Sequence, residues 1–267
     1  MSKRDLILRK PLMNAAGTLG FAPDFRVLKE LGNLFDDFGA FITNPLSLRP
    51  RAAASKPALI EYPGGFLLHT GLPNPGLNAT LKKYVRRWND SPLPIIVHLM
   101  ADRPEETKQM VQTLESVDNV MAVELGFAPL LADDILSLTL EMCIGELSLI
   151  FCLPSKQILS LGPRLIDEGA DAVSVAAPRG ALPHLTPGPS PFRRGELITG
   201  RLFGPSLFPQ SLELVHKASK MNLPIIGAGG VYSKENAEAM ISSGALAVQM
   251  DSTLWHGLDN TPYISPV

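Results

Sequence analysis

The stretch LPIIGAGGVYSKENAEAMISSGALAVQMDST, residues 223–253, decides the fold. It predicts a buried strand at 224–226, a glycine turn, a helix at 233–243 and a second buried strand at 245–250. A short polar turn, Asp251-Ser252-Thr253, follows the second strand. This is a βαβ unit with a glycine-rich loop after one strand and a polar loop after the next. In a (β/α)8 barrel, the loops after the last two strands commonly hold a phosphate group.

The glycine turn has a chemical reason to bind phosphate. A Cβ at Gly229 or Gly230 would keep backbone N–H groups away from phosphate oxygens. Ser233 is placed to cap the helix that follows, and the N-terminus of that helix adds positive potential. An ordinary tight turn between strand and helix is the alternative explanation.

Short apolar runs alternate with helical patterns along the chain. Eight runs predict strands: 12–16, 40–43, 95–99, 120–125, 147–153, 172–175, 224–226 and 245–250. Seven patterns predict helices: 24–31, 78–88, 104–116, 130–142, 156–168, 208–221 and 233–243. Continuously apolar strands are typical of a parallel sheet covered on both faces. The prediction is a single α/β domain over residues 1–267, a (β/α)8 TIM barrel. An open doubly wound sheet would place its phosphate glycines after the first strand.

Composition narrows the function classes. The 267 residues are 45% hydrophobic and 19% charged, with a formal net charge of −2 and no long basic run, so nucleic acid is not an expected partner. The two cysteines, Cys143 and Cys152, lie in or beside apolar segments and predict reduced thiols. We expect no signal peptide and no membrane span, and therefore a cytoplasmic protein.

Two long segments interrupt the alternation, residues 45–77 and 176–205. Segments of this length without regular structure are usually functional loops or disordered. The second has a proline-rich centre and predicts a loop excursion near 178–205.

The motifs together resemble one family. The chain is similar to the class 1 dihydroorotate dehydrogenases, FMN-dependent barrels of pyrimidine synthesis. The resemblance covers nearly the whole chain, and the pairing of GLPNPG with PIIGAGG is its most specific part. The motifs are MNAAGTLG (13–20), FITNPLSLRPR (41–51), HTGLPNPGLNATLKKY (69–84), ELGFAP (124–129), PIIGAGGV (224–231) and VQMDST (248–253).

The resemblance implies an FMN site and a substrate site. It places the isoalloxazine ring against Ala15, Ala16 and Gly17. It places the phosphate on Gly229, Gly230 and Ser252, together with Gly200 or Gly204. It places Asn44, His69 and Asn74 beside a small-molecule substrate. Barrels of this family often pair, so a homodimer is an expected partner.

The chain departs from the family at the positions that carry the chemistry. Asn44 and Cys152 stand where the family has lysines, and Gly126 stands for an asparagine. The following loop has neither the cysteine nor the serine that acts as general base. Asp251 puts a negative charge where the phosphate is expected. Oxidation of dihydroorotate needs a base within hydrogen-bond reach of the proton it removes.

Replacement bases are few. His69, beside GLPNPG, and Cys152 are the candidates, and His98 is a third polar group at a strand end. Glu124 ends an apolar strand. It is either a polar group of the barrel mouth or a structural anchor. No spacing of histidines and carboxylates predicts a metal site.

Three hypotheses follow. The first is an FMN-dependent oxidoreductase resembling dihydroorotate dehydrogenase, with the usual base and flavin-contacting lysines missing. The second is a non-catalytic or substrate-switched homologue that binds a phosphorylated ligand or a partner. The third is another phosphate-binding barrel enzyme, such as an aldolase or isomerase, for which no convincing lysine or carboxylate pair is found.

Overall fold

Eight parallel strands close into a barrel. The computed structural model describes residues 5–24, 26, 36–128, 132–184 and 193–251. The strands follow one another around the barrel in chain order, and the last pairs with the first. They are β1 (Leu12–Asn14), β2 (Phe38–Ile42), β5 (Ile95–Met100), β6 (Val120–Gly126), β7 (Ser148–Leu153), β8 (Ala172–Val175), β11 (Ile225–Gly227) and β12 (Ala247–Met250). All eight predicted strands are confirmed, and with them the (β/α)8 fold.

Helices connect these strands. The described residues contain α1 (Leu77–Asn89), α2 (Pro104–Glu115), α3 (Asp133–Cys143), α4 (Ser155–Asp167), α5 (Phe208–Lys220) and α6 (Lys234–Ser242). Six of the seven predicted helices are therefore confirmed, and most of the seventh, 24–31, lies outside the described residues.

The predicted helix starts are confirmed at two of three places. The Ser233 hydroxyl accepts a hydrogen bond from the Asn236 N–H at 3.2 Å, as a capping serine does. Pro104 is the first residue of its helix, where its missing N–H costs nothing. The sequence pattern predicted that α1 starts at residue 78, which is wrong. The helix begins one residue earlier, after Gly76 at φ 80°.

The core has two parts separated by the barrel wall. Inside the barrel lies a layer of side chains drawn from all eight strands: Met13, Ala40, Ile42, Ile96, Ala122, Ile150, Ala172, Ile226 and Ala247. Outside it, the opposite strand faces pack against the helices, and fully buried Trp88 and Phe151 belong to this outer core. Because both strand faces are covered, the sequence of each strand is a continuous apolar run.

The two segments predicted to be irregular form a second sheet, so that prediction is wrong in part. The strands β3 (Ala58–Tyr62), β4 (Gly65–His69), β9 (Arg179–Pro183) and β10 (Leu197–Phe203) pair antiparallel in the order β3-β4-β10-β9. We call this the roof sheet. It joins two segments more than 100 residues apart in the chain, and Phe66 stacks on Phe203 at 5.5 Å between ring centroids. Residues 185–192, the proline-rich centre, lie outside the described residues.

Glycines allow the close approach of β4 and β10. Gly204 has φ 127°, and a Cβ there would lie 2.3 Å from the Cα of Gly65. A Cβ at Gly65 would in turn lie 2.1 Å from the Phe203 carbonyl oxygen. The neighbouring atoms belong to the backbone and cannot rotate away.

Substituting Gly204 tests this packing. We expect Gly204→Ala to lower the free energy of unfolding by more than about 2 kcal/mol, because a backbone clash adds to the strain of a positive φ. Gly195→Ala is the matched control, because Gly195 has φ 82° and open space within 4 Å. Urea unfolding of the two variants measures the difference. Equal losses in both would show that the close approach is unimportant.

Candidate functional site

A cavity of about 320 Å³ lies between the barrel and the roof sheet. Its barrel side is formed by residues just past the carboxyl ends of β1 and β2, the end of a (β/α)8 barrel that carries the active site. Its other side comes from the roof sheet and the loop after β4. The lining residues are Ala16, Gly17, Asn44, Pro45, Arg51, Leu68, His69, Thr70, Gly71, Leu72, Pro73, Arg179, Gly200, Arg201 and Phe203.

Five residues predicted from the sequence meet in this cavity: Ala16, Gly17, Asn44, His69 and Gly200. They come from four separate regions of the chain. Six other predicted residues do not line it: Ala15, Asn74, Cys152, Gly204, Gly229 and Gly230. Ser252 lies outside the described residues.

The barrel side of the cavity is held by side-chain bonds to backbone. The Asn14 amide bridges β1 and β2: its Nδ2 donates to the Ile42 carbonyl at 2.7 Å and its Oδ1 accepts from the Ile42 N–H at 2.9 Å. The Asn44 Oδ1 accepts from the Gly20 N–H at 3.1 Å. The Asn44 side chain is thereby fixed beside the cavity.

Asn74, a predicted substrate contact, is engaged by its own loop and by Ser47 in the segment after β2. Its Oδ1 accepts from the N–H of Ser47 at 3.2 Å and of Gly76 at 3.0 Å, and its Nδ2 donates to the Leu72 carbonyl at 3.2 Å. Its side chain is 6% exposed. In this geometry Asn74 holds the GLPNPG loop in shape.

The predicted phosphate glycines lie close to the start of α5. A Cβ at Gly229 would lie 2.6 Å from the Ser211 hydroxyl, and one at Gly230 would lie 2.4 Å from the Phe208 backbone nitrogen. Both have positive φ, 98° and 75°. Packing alone therefore requires glycine at both positions, and phosphate binding there stays a prediction.

A buried carboxylate sits inside the barrel below the cavity. Glu124 is 0% exposed, so it is a structural anchor rather than a polar group of the open mouth. Its Oε2 lies 2.6 Å from the His98 Nδ1, and its Oε1 accepts from the Ser174 hydroxyl at 2.7 Å and from the Gln249 amide. Burial raises the pKa of Glu124, but the bonds from His98, Ser174 and Gln249 outweigh it and leave the pKa below its ordinary value.

The ionised state of Glu124 fixes the His98 ring. A carboxylate accepts only, so Nδ1 of His98 carries the proton. The other ring nitrogen, Nε2, points at Gly126, where a Cβ would lie 2.4 Å away. Gly126 is therefore the residue that makes room for His98.

The register of two neighbouring barrel strands brings His98 and Glu124 together. His98 and Glu124 are register partners on adjacent strands, as are Met100 and Gly126. Side chains at alternate positions of both strands point into the barrel. The pairing was missed because the register between two strands is not written in either strand alone.

Cys152, a candidate base, is a neutral thiol in this environment. Burial, followed by the negative charge of Glu124, raises the pKa of Cys152 to about 12. Burial likewise raises the pKa of Cys143 to about 12. A thiol of this kind is a poor proton acceptor at neutral pH. Among the two candidate bases, only His69 lines the cavity.

Three arginines give the cavity its charge, and the sequence reasoning missed them. Arg51 is the last residue of the motif at 41–51, Arg179 lies on β9 and Arg201 lies on β10. None of the described lining residues is acidic. The Arg51 Nε donates to the Gly71 carbonyl at 2.6 Å. The arginines converge only because the roof sheet forms, so no local pattern could show them.

Metal-ligand clusters and membrane-spanning helices are two other features that bear on function. Within the described residues, no cluster of three or more His, Cys, Asp or Glu side chains is arranged to hold a metal ion. The described helices are all too short or too polar to cross a lipid bilayer.

The fold and the position of the cavity define a class: a (β/α)8 barrel with a cationic cavity at the carboxyl ends of its strands. The family model for dihydroorotate dehydrogenase matches residues 4–127. The chain is 30% identical over 260 residues to the catalytic subunit of dihydroorotate dehydrogenase B (NAD(+)) from Trichlorobacter lovleyi, covering 92% of this chain and 84% of the relative. The chain belongs to the dihydroorotate dehydrogenase family.

Other comparisons agree. The corresponding catalytic subunit from Geotalea uraniireducens is 29% identical over 258 residues, covering 91% of this chain and 83% of the relative. The crystal structure of the Eimeria tenella dihydroorotate dehydrogenase in complex with ferulenol matches with a TM-score of 0.70 at 17% identity. That match covers 97% of this chain and 82% of the other, and it concerns the fold.

A double-mutant cycle tests the coupling of Gly126 to His98. We expect Gly126→Ala to lower the free energy of unfolding by about 1–3 kcal/mol, because the ring is pinned by Glu124 and cannot move aside. In a His98→Ala background the same change should cost much less, since the ring is gone. Urea unfolding of all four proteins gives the coupling energy. Additive losses would contradict the contact.

Thiol reactivity tests the two raised pKa values. A pKa of about 12 leaves almost no thiolate at pH 8, so Cys143 and Cys152 should resist iodoacetamide in the folded protein. Labelling should rise as the pH approaches 12, and both thiols should react at pH 8 in 8 M urea. Rapid labelling of folded Cys152 at pH 8 would restore it as a candidate base.

Proposed function

We propose that this protein is an FMN-dependent oxidoreductase acting on a small carboxylate substrate of the dihydroorotate class, in pyrimidine biosynthesis. One observation carries the proposal. Residues that the sequence assigned to flavin, Ala16, Gly17 and Gly200, line the same cavity as Asn44 and His69, assigned to substrate. The curated relatives support the reaction class, because they are dihydroorotate dehydrogenase catalytic subunits.

The residues of the cavity suit a flavin. Ala16 and Gly17 present small side chains and backbone to the cavity, and Gly17 has φ 94°. The cavity falls within the usual size range of small-molecule sites, about 300–1,000 Å³. Arg201 offers positive charge where a reduced flavin needs it. When bound, FMN would supply an acceptor for a hydride removed from the substrate.

The cationic lining suits an anionic substrate. Arg51 and Arg179 reach the cavity from two sides, and guanidinium groups bind carboxylates with two parallel hydrogen bonds. These arginines provide the positive charge that the missing lysines provide in the family. Asn44, fixed by Gly20, offers its remaining amide group for hydrogen bonding.

His69 is the proton acceptor that this geometry favours. It ends β4, lines the cavity and is partly exposed to it. Its imidazole can take a proton from a bound substrate that lies within hydrogen-bond reach. Cys152 is less suited because its thiol stays neutral.

A second function has one specific observation in its favour. Gly126 and Cys152, which replace polar residues of the family, lie beside the closed network around Glu124 and offer no base. This favours a non-catalytic or substrate-switched barrel that binds an anionic ligand or a partner. Homodimer formation stays a prediction for either function.

The visible spectrum of the purified protein separates the two functions. We expect flavin absorption bands, either as purified or after addition of FMN, and we expect dihydroorotate to bleach them without oxygen. Bands that do not bleach would indicate an FMN enzyme with another substrate. A colourless protein that takes up no FMN would reject the oxidoreductase proposal.

Two histidine variants test the role of His69 in the same experiment. His69→Asn should slow bleaching at least about 100-fold while the flavin bands remain, as loss of a general base does. His216→Asn is the matched control, because His216 is exposed on α5. Equal bleaching rates in both variants would exclude His69 as the base.

A further inference from the structure

Two of the cavity arginines face each other across paired strands. Arg201 of β10 and Arg179 of β9 are direct register partners in the antiparallel pair. Side chains of such partners leave the sheet on the same face, with Cβ atoms about 4.5–5.5 Å apart. Both residues line the cavity, so this face is the one turned toward it. Like charges placed directly opposite each other destabilise a sheet.

Nothing in the described part of the chain neutralises this pair. Neither guanidinium takes part in an ion pair or a hydrogen bond among the described residues. The charge of Glu124 acts on Arg201, but the two oxygens of this carboxylate already accept from His98, Ser174 and Gln249. Arg179 is exposed and Arg201 only partly so.

Burial adds to the cost of the Arg201 charge. Burial lowers the pKa of Arg201, and the charge of Arg179 lowers it further, against the opposing effects of Cys152 and Glu124. Arginine nevertheless stays protonated in proteins. A partly buried, unpaired cation beside a second cation is unfavourable unless a ligand compensates it.

We propose that Arg179 and Arg201 form an anion clamp, in which a carboxylate or phosphate group of the cavity ligand lies between the two guanidinium groups. The planar fork of each guanidinium donates two parallel hydrogen bonds to such a group. The inference rests on the proposed function for the nature of the ligand. Two sources fit the chemistry, the carboxylate of the substrate and the phosphate of FMN.

The clamp has a consequence for stability that an ordinary structural pair lacks. Without an anion, the two charges repel, so removing one of them should leave the protein at least as stable as the wild type. With an anion, the wild type gains stability that the variant does not, because binding to the folded state raises the unfolding temperature.

Thermal unfolding in low-salt buffer without phosphate tests the clamp, with inorganic phosphate and orotate as probes. The wild-type Tm should rise with either probe. Arg179→Gln and Arg201→Gln should each weaken the response so that roughly ten times more probe is needed. Their Tm without probe should equal or exceed that of the wild type. Arg86→Gln is the matched control, because Arg86 is exposed on α1.

Flavin binding, followed by fluorescence, distinguishes the two sources. If the clamp holds the FMN phosphate, Arg179→Gln should weaken the binding of FMN roughly tenfold. The binding of riboflavin, which lacks the phosphate, should be unchanged. If it holds the substrate carboxylate, FMN affinity should be unchanged and the orotate response lost. Arg179 is exposed, so this variant serves even where Arg201→Gln does not fold.

The clamp is overturned if both arginine variants respond to phosphate, orotate and FMN as the wild type does. A lower Tm for Arg179→Gln than for wild type without any anion counts against it too, since that would make the guanidinium a structural group. The readouts need no redox activity. A colourless protein that takes up no FMN but whose Tm still rises with phosphate or orotate through these arginines would reject the oxidoreductase proposal and support the clamp.

Discussion

The carboxylate of Glu124 is a full charge inside a closed barrel, and the residues around it are arranged to tolerate it. An ion in such a place is tolerated only when hydrogen bonds replace its water. His98, Ser174 and Gln249 supply them from three other strands, β5, β8 and β12. The network therefore fixes the relative positions of strands around the whole barrel.

This network has consequences for the residues next to it. The orientation that Glu124 imposes on His98 leaves no room for a side chain at residue 126. The same negative charge helps to keep Cys152 protonated. Gly126 and Cys152 are thus both affected by the same buried ion. The cavity takes its titratable and charged residues His69, Arg179 and Arg201 from above the barrel instead.

The roof sheet supplies those residues. It brings His69 and Arg201 to the cavity from segments that are far apart in the chain, through the pairing of β4 with β10, in which Arg201 lies opposite Leu68. The barrel contributes small residues and Asn44, and the roof sheet contributes charge. Two of the three cavity arginines come from β9 and β10 and the third, Arg51, comes from the segment after β2, so none of them lies on a barrel strand.

The amino-acid sequence by itself determined the barrel and five of the residues that line the cavity. Continuous apolar strands, helical periodicity and glycine turns are local signals, and each of the eight strands carries its own. Ala16, Gly17, Asn44, His69 and Gly200 were identified from short motifs, and they line one cavity. The tertiary structure alone decided the roof sheet, the His98–Glu124 pair and the pairing of Arg179 with Arg201. Each of these depends on register between segments distant in the chain, which is set by packing and long-range hydrogen bonds and leaves no local periodicity to read.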